Sequence, residues 1–323
     1  MVRHLIDPQL LADTGAHIVY DFWADIPASR VIHQRYIADR LKETPLLDTV
    51  QHRDQHIPGL GGSPDIRIRI YYPSQRPTSS PALLWIHGGG FVVGTIDTEV
   101  PVMQMLAQEV SCIIVAVEYR LAPENPFPAP LDDCYATLLW MRSNAEQLGI
   151  DRCRIAVGGI SAGAGLVAAL MLKLRDETDI EVIFQMLLCP MLDDRNQLPS
   201  TYLDLSGIAW ERESNRKAWA AYLGSQPAEQ LPTYAVPGRV SDLNNLPAAY
   251  ISVGSVDLFR DECIDYARRL LEAGVPTELH VHPGGIHAFE FKVSGADISG
   301  RARRQHIDAL KLAFGKAGAG QTA

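Results

Sequence analysis

The sequence contains no apolar run approaching the ~20 residues that a membrane-spanning helix requires, although 47% of its 323 residues are hydrophobic. Its N-terminal residues, MVRHLIDP, also lack the apolar central segment of a signal peptide. We therefore expect a cytoplasmic protein without membrane insertion. The hydrophobic content is enough to bury a large sheet with helices on both of its faces.

Cysteine is scarce, and its distribution is not that of a disulfide framework. The five cysteines are odd in number, form no C-x-x-C pair and mostly occupy apolar segments. Such a distribution is typical of reduced, mostly buried thiols in a cytosolic protein. The cysteines are Cys112, Cys134, Cys153, Cys189 and Cys263.

Sequence signals for bound cofactors are also missing. No histidine pair has the helical spacing of a metal site. His280 and His282 could bind a metal as a strand pair, but no carboxylate cluster completes that site. Neither a dinucleotide-binding nor a phosphate-loop glycine pattern occurs. We expect the protein to need no metal and no organic cofactor.

Positive charge is in deficit. The chain has 29 Lys and Arg against 38 Asp and Glu, a net charge of −9, and no basic stripe with interleaved aromatic residues. An excess of negative charge repels phosphate groups. We therefore expect neither nucleic acid nor an anionic membrane surface as a partner.

The most informative segment present is residues 84–91 (LWIHGGGF), in which an apolar run that predicts a buried strand leads into three glycines. Without a Cβ atom, Gly88, Gly89 and Gly90 can adopt backbone conformations closed to other residues and approach a ligand closely. A flexible turn is the simpler interpretation. Directly after a strand, however, such a run can offer backbone N–H groups to a developing oxyanion.

A second glycine-flanked motif, G-x-S-x-G, spans residues 159–163 (GISAG). Residues 154–158 (RIAVG) predict a short buried strand, and residues 162–175 (AGAGLVAALMLKLR) predict a helix. Ser161 is therefore predicted at a sharp strand-to-helix turn, with the N–H of Ala162 facing the same space as the glycine run. The motif alone occurs by chance in many chains. In this context it indicates acyl transfer through a serine nucleophile.

Further short motifs occur in order along residues 71–314. They are HGGG at 87–90, EYRLAPE at 118–124, PFPA at 126–129, GISAG at 159–163, DLFRDE at 257–262 and HAF at 287–289. With this set the chain resembles the hormone-sensitive-lipase-like carboxylesterases of the α/β-hydrolase fold. It departs from that family at Ile160, where Asp or Thr is usual, and at Ala164, where Gly is usual. Both departures leave the nucleophile in place and change the polarity beside it.

The resemblance implies an α/β-hydrolase fold, with a mostly parallel eight-stranded sheet, helices on both faces and a helical cap. It also implies a small-molecule ester as substrate and a possible homodimer.

A serine hydroxyl needs a base to take its proton, and in α/β-hydrolases that histidine follows the serine and the acid along the chain. The candidates by position are His280, His282, His287 and His306. Alternation over 277–281 (TELHV) assigns the first two to strand faces. The basic stretch 301–306 (RARRQH) predicts a solvated helix face for His306. His287 follows a glycine-containing loop after the last strand, where its imidazole can reach Ser161, and the resemblance also selects it.

The acid that orients this histidine must be held in place. Residues 249–254 (AYISVG) predict a strand, and Asp257 follows it in the short turn before a helix predicted at 259–273. Asp261 and Glu262 are rivals, but they fall in the first turn of that helix, where acids usually complement the helix dipole. We therefore predict Asp257 as the acid.

The chain is predicted to form one catalytic core with two cap segments. Apolar strands alternate with helices from about residue 82 to 190 and again from 246, the pattern of a parallel sheet with right-handed crossovers. The predicted divisions are an N-terminal helical cap segment at 1–55, the catalytic core at 56–190 and 241–323, and a cap insertion at 191–240.

Amphipathic spacing predicts helices at 7–17 and 26–42 in the first cap segment and at 210–223 in the second, whereas the core begins with a strand at 66–73. The resemblance implies that the cap covers the serine and shapes the substrate pockets. Aromatic residues could line these pockets or merely pack the helices. They are Phe22, Trp23, Phe91 and Trp210, together with Trp219 and Tyr222.

The predicted reaction is hydrolysis of short- to medium-chain carboxylic esters, with Ser161 as nucleophile, His287 as base and Asp257 as the orienting acid. The expected oxyanion donors are the backbone N–H groups of Ala162, Gly88, Gly89 and Gly90, of which Gly88 mainly shapes the turn. An amidase, thioesterase or lactone hydrolase could use the same three residues. A ligand-binding receptor on an esterase scaffold is disfavoured, because all three residues are present.

Overall fold

The computed structural model describes residues 2–13, 22–44, 46–225 and 230–319, and within them an eight-stranded sheet forms the centre of the molecule. The strands are β1 Val50–Ile57, β2 Ile66–Pro73, β3 Ser80–Ile86, β4 Ile113–Val117, β5 Ile150–Ile160, β6 Phe184–Leu188, β7 Ala248–Gly254 and β8 Thr277–His282. Their order across the sheet is β1-β2-β4-β3-β5-β6-β7-β8.

Helices connect and flank these strands. They are α1 Pro8–Asp13, α2 Ile26–Glu43, α3 Val100–Val110, α4 Ala129–Ser143, α5 Ala145–Leu148, α6 Ala162–Glu177, α7 Arg212–Leu223, α8 Arg260–Glu272, α9 Phe289–Lys292 and α10 Asp297–Ala319. Helix α3 packs with α10, and α4 packs with α6. The interior strands β3 and β4 are buried along their whole length, as expected for strands covered on both faces.

The sheet is mostly parallel, which confirms the predicted fold class. β1 and β2 pair antiparallel, as do β2 and β4, whereas all pairs from β4 across to β8 are parallel. The carboxyl ends of the parallel strands therefore meet along one edge of the sheet. Loops at that edge are where open α/β sheets build their ligand sites.

The N-terminal 55 residues were expected to be helical, and this expectation is wrong at its end, because Val50–Ile57 forms strand β1. This strand lies at the sheet edge with only its two end residues buried. It therefore lacks the apolar alternation by which strands are found in a sequence. Its stability comes instead from pairing with β2 along its full length.

The helices expected at 26–42 and 210–223 are present as α2 and α7. Of the helix expected at 7–17, residues 8–13 form α1, and residues 14–17 lie outside the described part of the chain. The side chain of Asp25 caps α2 by accepting a 2.9 Å hydrogen bond from the N–H of Ala28.

Arg30 fastens α2 to the core. Its guanidinium donates to the carbonyl oxygens of Val92 and Ala122, each at 2.7 Å, and to both carboxylate oxygens of Glu124. Because Val92 follows the glycine run closely, this contact fixes α2 over the loop after β3. Within the described residues, no helix is both long and apolar enough to cross a lipid bilayer.

Candidate active site

Three side chains meet above the carboxyl ends of the parallel strands β5, β7 and β8. Ser161 lies between β5 and α6, Asp257 follows β7, and His287 follows β8. His287 Nε2 lies 2.9 Å from Ser161 Oγ, and His287 Nδ1 lies 2.9 Å from Asp257 Oδ2. The three residues that the sequence selects therefore form one continuous hydrogen-bonded chain.

The orientation of this chain follows from Asp257, which is fully buried. Its second oxygen, Oδ1, accepts a 3.0 Å hydrogen bond from the N–H of Phe259. With Asp257 Oδ2 accepting from His287 Nδ1–H, the other ring nitrogen is free to accept a proton from the serine hydroxyl. The arrangement can thus activate a serine oxygen as a nucleophile.

Ser161 adopts a strained backbone conformation, with φ 57° and ψ −122°. A positive φ is uncommon for a residue with a Cβ atom, and it persists only where the surrounding structure enforces it. Close packing of β3 against the start of α6 enforces it here, since a Cβ on Gly163 would lie 2.2 Å from the carbonyl oxygen of Ile86. The tight junction of β5 and α6 therefore presents the serine side chain away from the sheet.

The glycine run lies opposite the serine. Gly89 and Gly90 have φ values of +118° and +60°, which favour glycine. No hydrogen-bond acceptor within the described residues takes the N–H of either one. Ala162 is the first residue of α6, so its N–H has no partner inside the helix. These three backbone donors can bind a negatively charged oxygen.

Gly88 is arranged differently from its two neighbours. Its N–H donates to Glu99 Oε1 at 3.4 Å, and the other oxygen of Glu99 accepts a 2.8 Å bond from Trp85 Nε1. Glu99 is almost fully buried, and this burial raises the pKa of its carboxyl group to about 7. Through its bond to the N–H of Gly88, Glu99 fixes the position of the first residue of the glycine run.

His87 supports the same loop on the other side. Its ring stacks on Tyr119 with centroids 4.2 Å apart, and its Nδ1 lies 2.7 Å from the carbonyl oxygen of Gly88. Burial lowers the pKa of His87 to about 4. The ring is therefore neutral near pH 7, and Nδ1 must carry the proton that it donates to this carbonyl.

The other candidate histidines have partners away from the serine. His282 Nε2 lies 3.0 Å from Ser252 Oγ, and His280 Nε2 lies 2.6 Å from Glu278. The expectation that His306 lies on a solvated face is wrong, because His306 is 1% exposed. Its Nδ1 lies 2.9 Å from the hydroxyl oxygen of Tyr250. The basic residues next to His306 in the sequence give no indication that one face of α10 packs against the core.

The rival acids are also engaged elsewhere. Asp261 Oδ2 accepts a 2.7 Å hydrogen bond from the N–H of Ser200. Glu262 Oε1 accepts a 2.8 Å bond from the N–H of Leu192. Both residues therefore fix the loop that follows β6 and do not reach His287.

A cavity of about 440 Å³ opens beside the serine. Its walls include Ile32, Tyr36 and Leu41 from α2, together with Ile160 and Trp210. The Trp210 ring lies against the glycine run, because a Cβ on Gly90 would come 2.7 Å from Trp210 Cη2. Its Nε1 donates to Asn215 Oδ1 at 3.2 Å, which holds the indole in place.

The other aromatic candidates lie in the cap packing. Phe91 is buried and stacks on Tyr222 with centroids 4.0 Å apart. Trp23 Nε1 donates a 3.1 Å bond to Ser214 Oγ of α7, and Phe22 contacts the Trp23 ring edge-on at 5.1 Å. Phe22 and Trp23 thus join the N-terminal segment to α7.

One group of potential metal ligands coincides with the serine site. Cys189, Asp257 and His287 each place one ligand atom within 4.8 Å of the others. Burial raises the pKa of the Cys189 thiol well above its ordinary value, and a protonated thiol is a poor metal ligand. Asp257 and His287 are already bonded to each other. The donor set therefore suits a hydrogen-bonded triad better than a metal centre.

Sequence reasoning missed four charged residues that line the cavity, Arg40, Glu99, Glu290 and Lys292. No sequence pattern marks these residues; Glu99, for example, lies two residues after Asp97 in the mixed segment DTEVPVMQML.

Most of this chain is similar to known proteins and to solved structures. A profile of the alpha/beta hydrolase fold family matches residues 83–291. Carboxylesterase NlhH of Mycobacterium tuberculosis (strain CDC 1551 / Oshkosh) is 34% identical over 278 residues, which cover 85% of this chain and 87% of that protein. The arylesterase of Saccharolobus solfataricus is 35% identical over 237 residues, covering 70% and 73%. A solved structure of a bacterial heroin esterase matches with a TM-score of 0.91 and 40% identity, covering 97% of this chain and 99% of that chain.

Proposed function

Because the chain belongs to the hormone-sensitive-lipase-like group of the alpha/beta hydrolase fold and is a carboxylic ester hydrolase, we propose that it is a serine esterase. In this proposal it hydrolyses short- to medium-chain esters through an acyl-enzyme on Ser161. The observation that carries the proposal is the hydrogen-bonded chain from Ser161 through His287 to Asp257.

In the first half of the reaction, Ser161 Oγ attacks the ester carbonyl carbon while His287 Nε2 takes the hydroxyl proton. Asp257 keeps the imidazole in the required tautomer and stabilises its cation. The tetrahedral intermediate collapses when the bond to the alkoxy oxygen breaks and His287 returns the proton to that oxygen. The alcohol leaves, and the acyl group remains bound to Ser161.

The second half repeats these steps with water. His287 takes a proton from water as the water oxygen attacks the acyl carbon. The bond to Ser161 Oγ then breaks, and the proton from His287 restores the hydroxyl group. The acid product leaves, so one ester and one water are converted into one acid and one alcohol.

The oxyanion of both tetrahedral intermediates would be bound by the N–H groups of Ala162, Gly89 and Gly90. One such donor contributes roughly 3 to 4 kcal/mol to transition-state stabilisation. Gly88 shapes the turn, because its own N–H is directed towards Glu99. This division of roles makes Gly89 and Gly90 more important for rate than Gly88.

An ester is favoured over an amide because the relatives named above are a carboxylesterase and an arylesterase. The apolar walls of the cavity support a substrate of modest size with a hydrocarbon acyl group.

The proposal is tested by labelling the protein with an organophosphate or a sulfonyl fluoride and locating the adduct by mass spectrometry. We expect the adduct on Ser161 and loss of ester hydrolysis in proportion to labelling. A Ser161→Ala variant should keep its fold and lose both labelling and activity. An adduct on a different serine, or an active Ser161→Ala variant, would refute the proposal.

A further inference from the structure

Two cations line the catalytic cavity, and neither forms an ion pair with a carboxylate in the described part of the chain. Lys292 is the last residue of α9, and Arg40 reaches the cavity from α2. Arg40 Nη1 donates to the Tyr36 hydroxyl at 3.1 Å, and Nη2 donates to the Lys292 carbonyl at 3.3 Å. The contact places the Arg40 guanidinium beside the backbone of Lys292 at the cavity wall.

Lys292 lines the same cavity as Ser161 and His287. Burial lowers the pKa of Lys292 below its ordinary value, and the nearby charges of Asp257 and Glu290 offset only part of this effect. Among the described residues, none accepts a hydrogen bond from its Nζ. Lys292 is partly exposed, and its ammonium group has three N–H donors that a bound molecule can engage.

The acidic groups that face the cavity are directed elsewhere. Glu290 Oε1 lies 3.4 Å from His306 Nε2, and Asp257 is bonded to His287. Glu99 is bonded to Trp85 and Gly88, and burial raises the pKa of its carboxyl group to about 7.

The remaining titratable group on the α2 wall is His33. Burial lowers its pKa, so its ring is neutral near pH 7. The cavity wall therefore carries two cations that form no ion pair among the described residues, in a protein whose net charge is −9.

We propose that Lys292 binds a carboxylate on the substrate, so that the preferred esters carry an anionic carboxylate besides the ester group. This inference rests on the proposed ester hydrolysis and names its substrate class. A lysine ammonium is a compact point charge that recognises a carboxylate without a fixed geometry. Arg40 adds positive charge behind it. The carboxylate can belong to the acyl arm or to the alcohol arm, and the test below separates the two.

The test compares kcat/KM for anionic and neutral esters of equal length. On the acyl arm the pair is monoethyl glutarate and ethyl pentanoate. On the alcohol arm it is carboxymethyl butanoate and ethyl butanoate. We expect the protein to favour the anionic ester at least tenfold in one of the two pairs, mainly through a lower KM. The arm in which this occurs identifies the side of the ester that Lys292 faces.

Three variants decide the role of Lys292. Lys292→Met removes the charge at nearly constant length and should lower the anionic-to-neutral ratio about tenfold or more. Lys292→Arg restores the charge and should restore most of the ratio. Lys173→Met is the matched control, because Lys173 Nζ is bonded to Glu177 in α6 and does not line the cavity. The anionic-to-neutral ratio of kcat/KM for Lys173→Met should equal that of the unmodified protein.

Each outcome has a definite meaning. A ratio near one in the unmodified protein, or a ratio that Lys292→Met leaves unchanged, overturns the inference. So does an equal loss on anionic and neutral esters, because that result assigns Lys292 to positioning the triad. If the Lys292 variants do not fold, inhibition of the unmodified protein decides, since glutarate should then compete more strongly than pentanoate. No hydrolysis of any ester would instead contradict the proposed function.

Discussion

The indole N–H of Trp85 donates a 2.8 Å hydrogen bond to the buried carboxyl group of Glu99. This contact joins β3 to the start of α3, on either side of the glycine run. Because the other carboxyl oxygen of Glu99 faces the N–H of Gly88, one side chain fixes both the strand end and the loop that follows it. Within the described residues no cation forms an ion pair with this carboxyl group, so burial governs its ionisation.

The first prediction concerns the pH dependence of stability. Burial raises the pKa of Glu99 from 4.5 to about 7 in the folded protein. Its contribution to the free energy of unfolding is therefore complete below about pH 4.5 and is lost as the pH rises to about 7, a change of about 3 kcal/mol. Glu99→Gln removes this titration. Urea unfolding at pH 5 and pH 8 should show the unmodified protein losing more stability than Glu99→Gln. Parallel behaviour of the two proteins would mean that Glu99 remains ionised when folded.

The second prediction concerns the acid. Asp257→Asn should lower kcat by about 10⁴ while the protein stays folded, because the amide can no longer hold the imidazole in the correct tautomer. Asp261→Asn is the control, since Asp261 bonds to Ser200 and Arg260 and does not reach His287. Steady-state kinetics with circular dichroism measures both effects. Comparable losses of kcat in the two variants would show that Asp257 has been assigned the wrong role.

The third prediction concerns the glycine run. Gly90→Ala combines a positive φ of 60° with a contact of 2.7 Å to Trp210, so the loop must move. We expect kcat to fall about 10²-fold, the effect of losing one oxyanion donor, with a much smaller change in KM. Gly207→Ala is a matched control, because Gly207 has a φ of 69° but nothing within 4 Å of an added Cβ. Equal losses of kcat in both variants would trace the effect to backbone strain alone.

The sequence predicted the fold class, and the residues it selected as a triad lie together in the structure, because both depend on local patterns. Apolar strands, a helix after Ser161 and a loop before His287 are each visible within a few residues of sequence. The order of these motifs was sufficient to indicate the family. The roles of the three residues stay predictions, as do the cap divisions, the cytoplasmic location and the homodimer.

What the sequence did not predict depends on partners distant in the chain. Glu99 is significant only because Trp85 and Gly88 surround its carboxyl group, and Lys292 only because α9 ends at the cavity wall. His306 is buried by contact with Tyr250, which lies 56 residues earlier. The edge strand β1 is stable despite its exposed, polar sequence, because it pairs with β2 along its full length. None of these contacts leaves a periodic signal in the sequence.

The last prediction concerns acyl-chain length. The cavity holds about 440 Å³, and its apolar walls end at α2 and at the ring of Trp210. Each added methylene contributes about 0.8 kcal/mol until the chain no longer fits. Activity on p-nitrophenyl esters should therefore peak at about four to eight acyl carbons and fall for longer chains.

Trp210→Ala should shift this peak towards longer chains, because it removes one wall of the cavity. Trp140→Ala is the control, since Trp140 lies on α4 and is not part of the cavity. A soluble ester can enter the cavity without a large exposed apolar face, so we expect no jump in rate when substrate exceeds its solubility limit. Rapid hydrolysis of emulsified long-chain triglyceride with such a jump would show instead that the cap opens as a lid at a lipid surface. In that case the cavity seen here would not limit the length of the acyl chain.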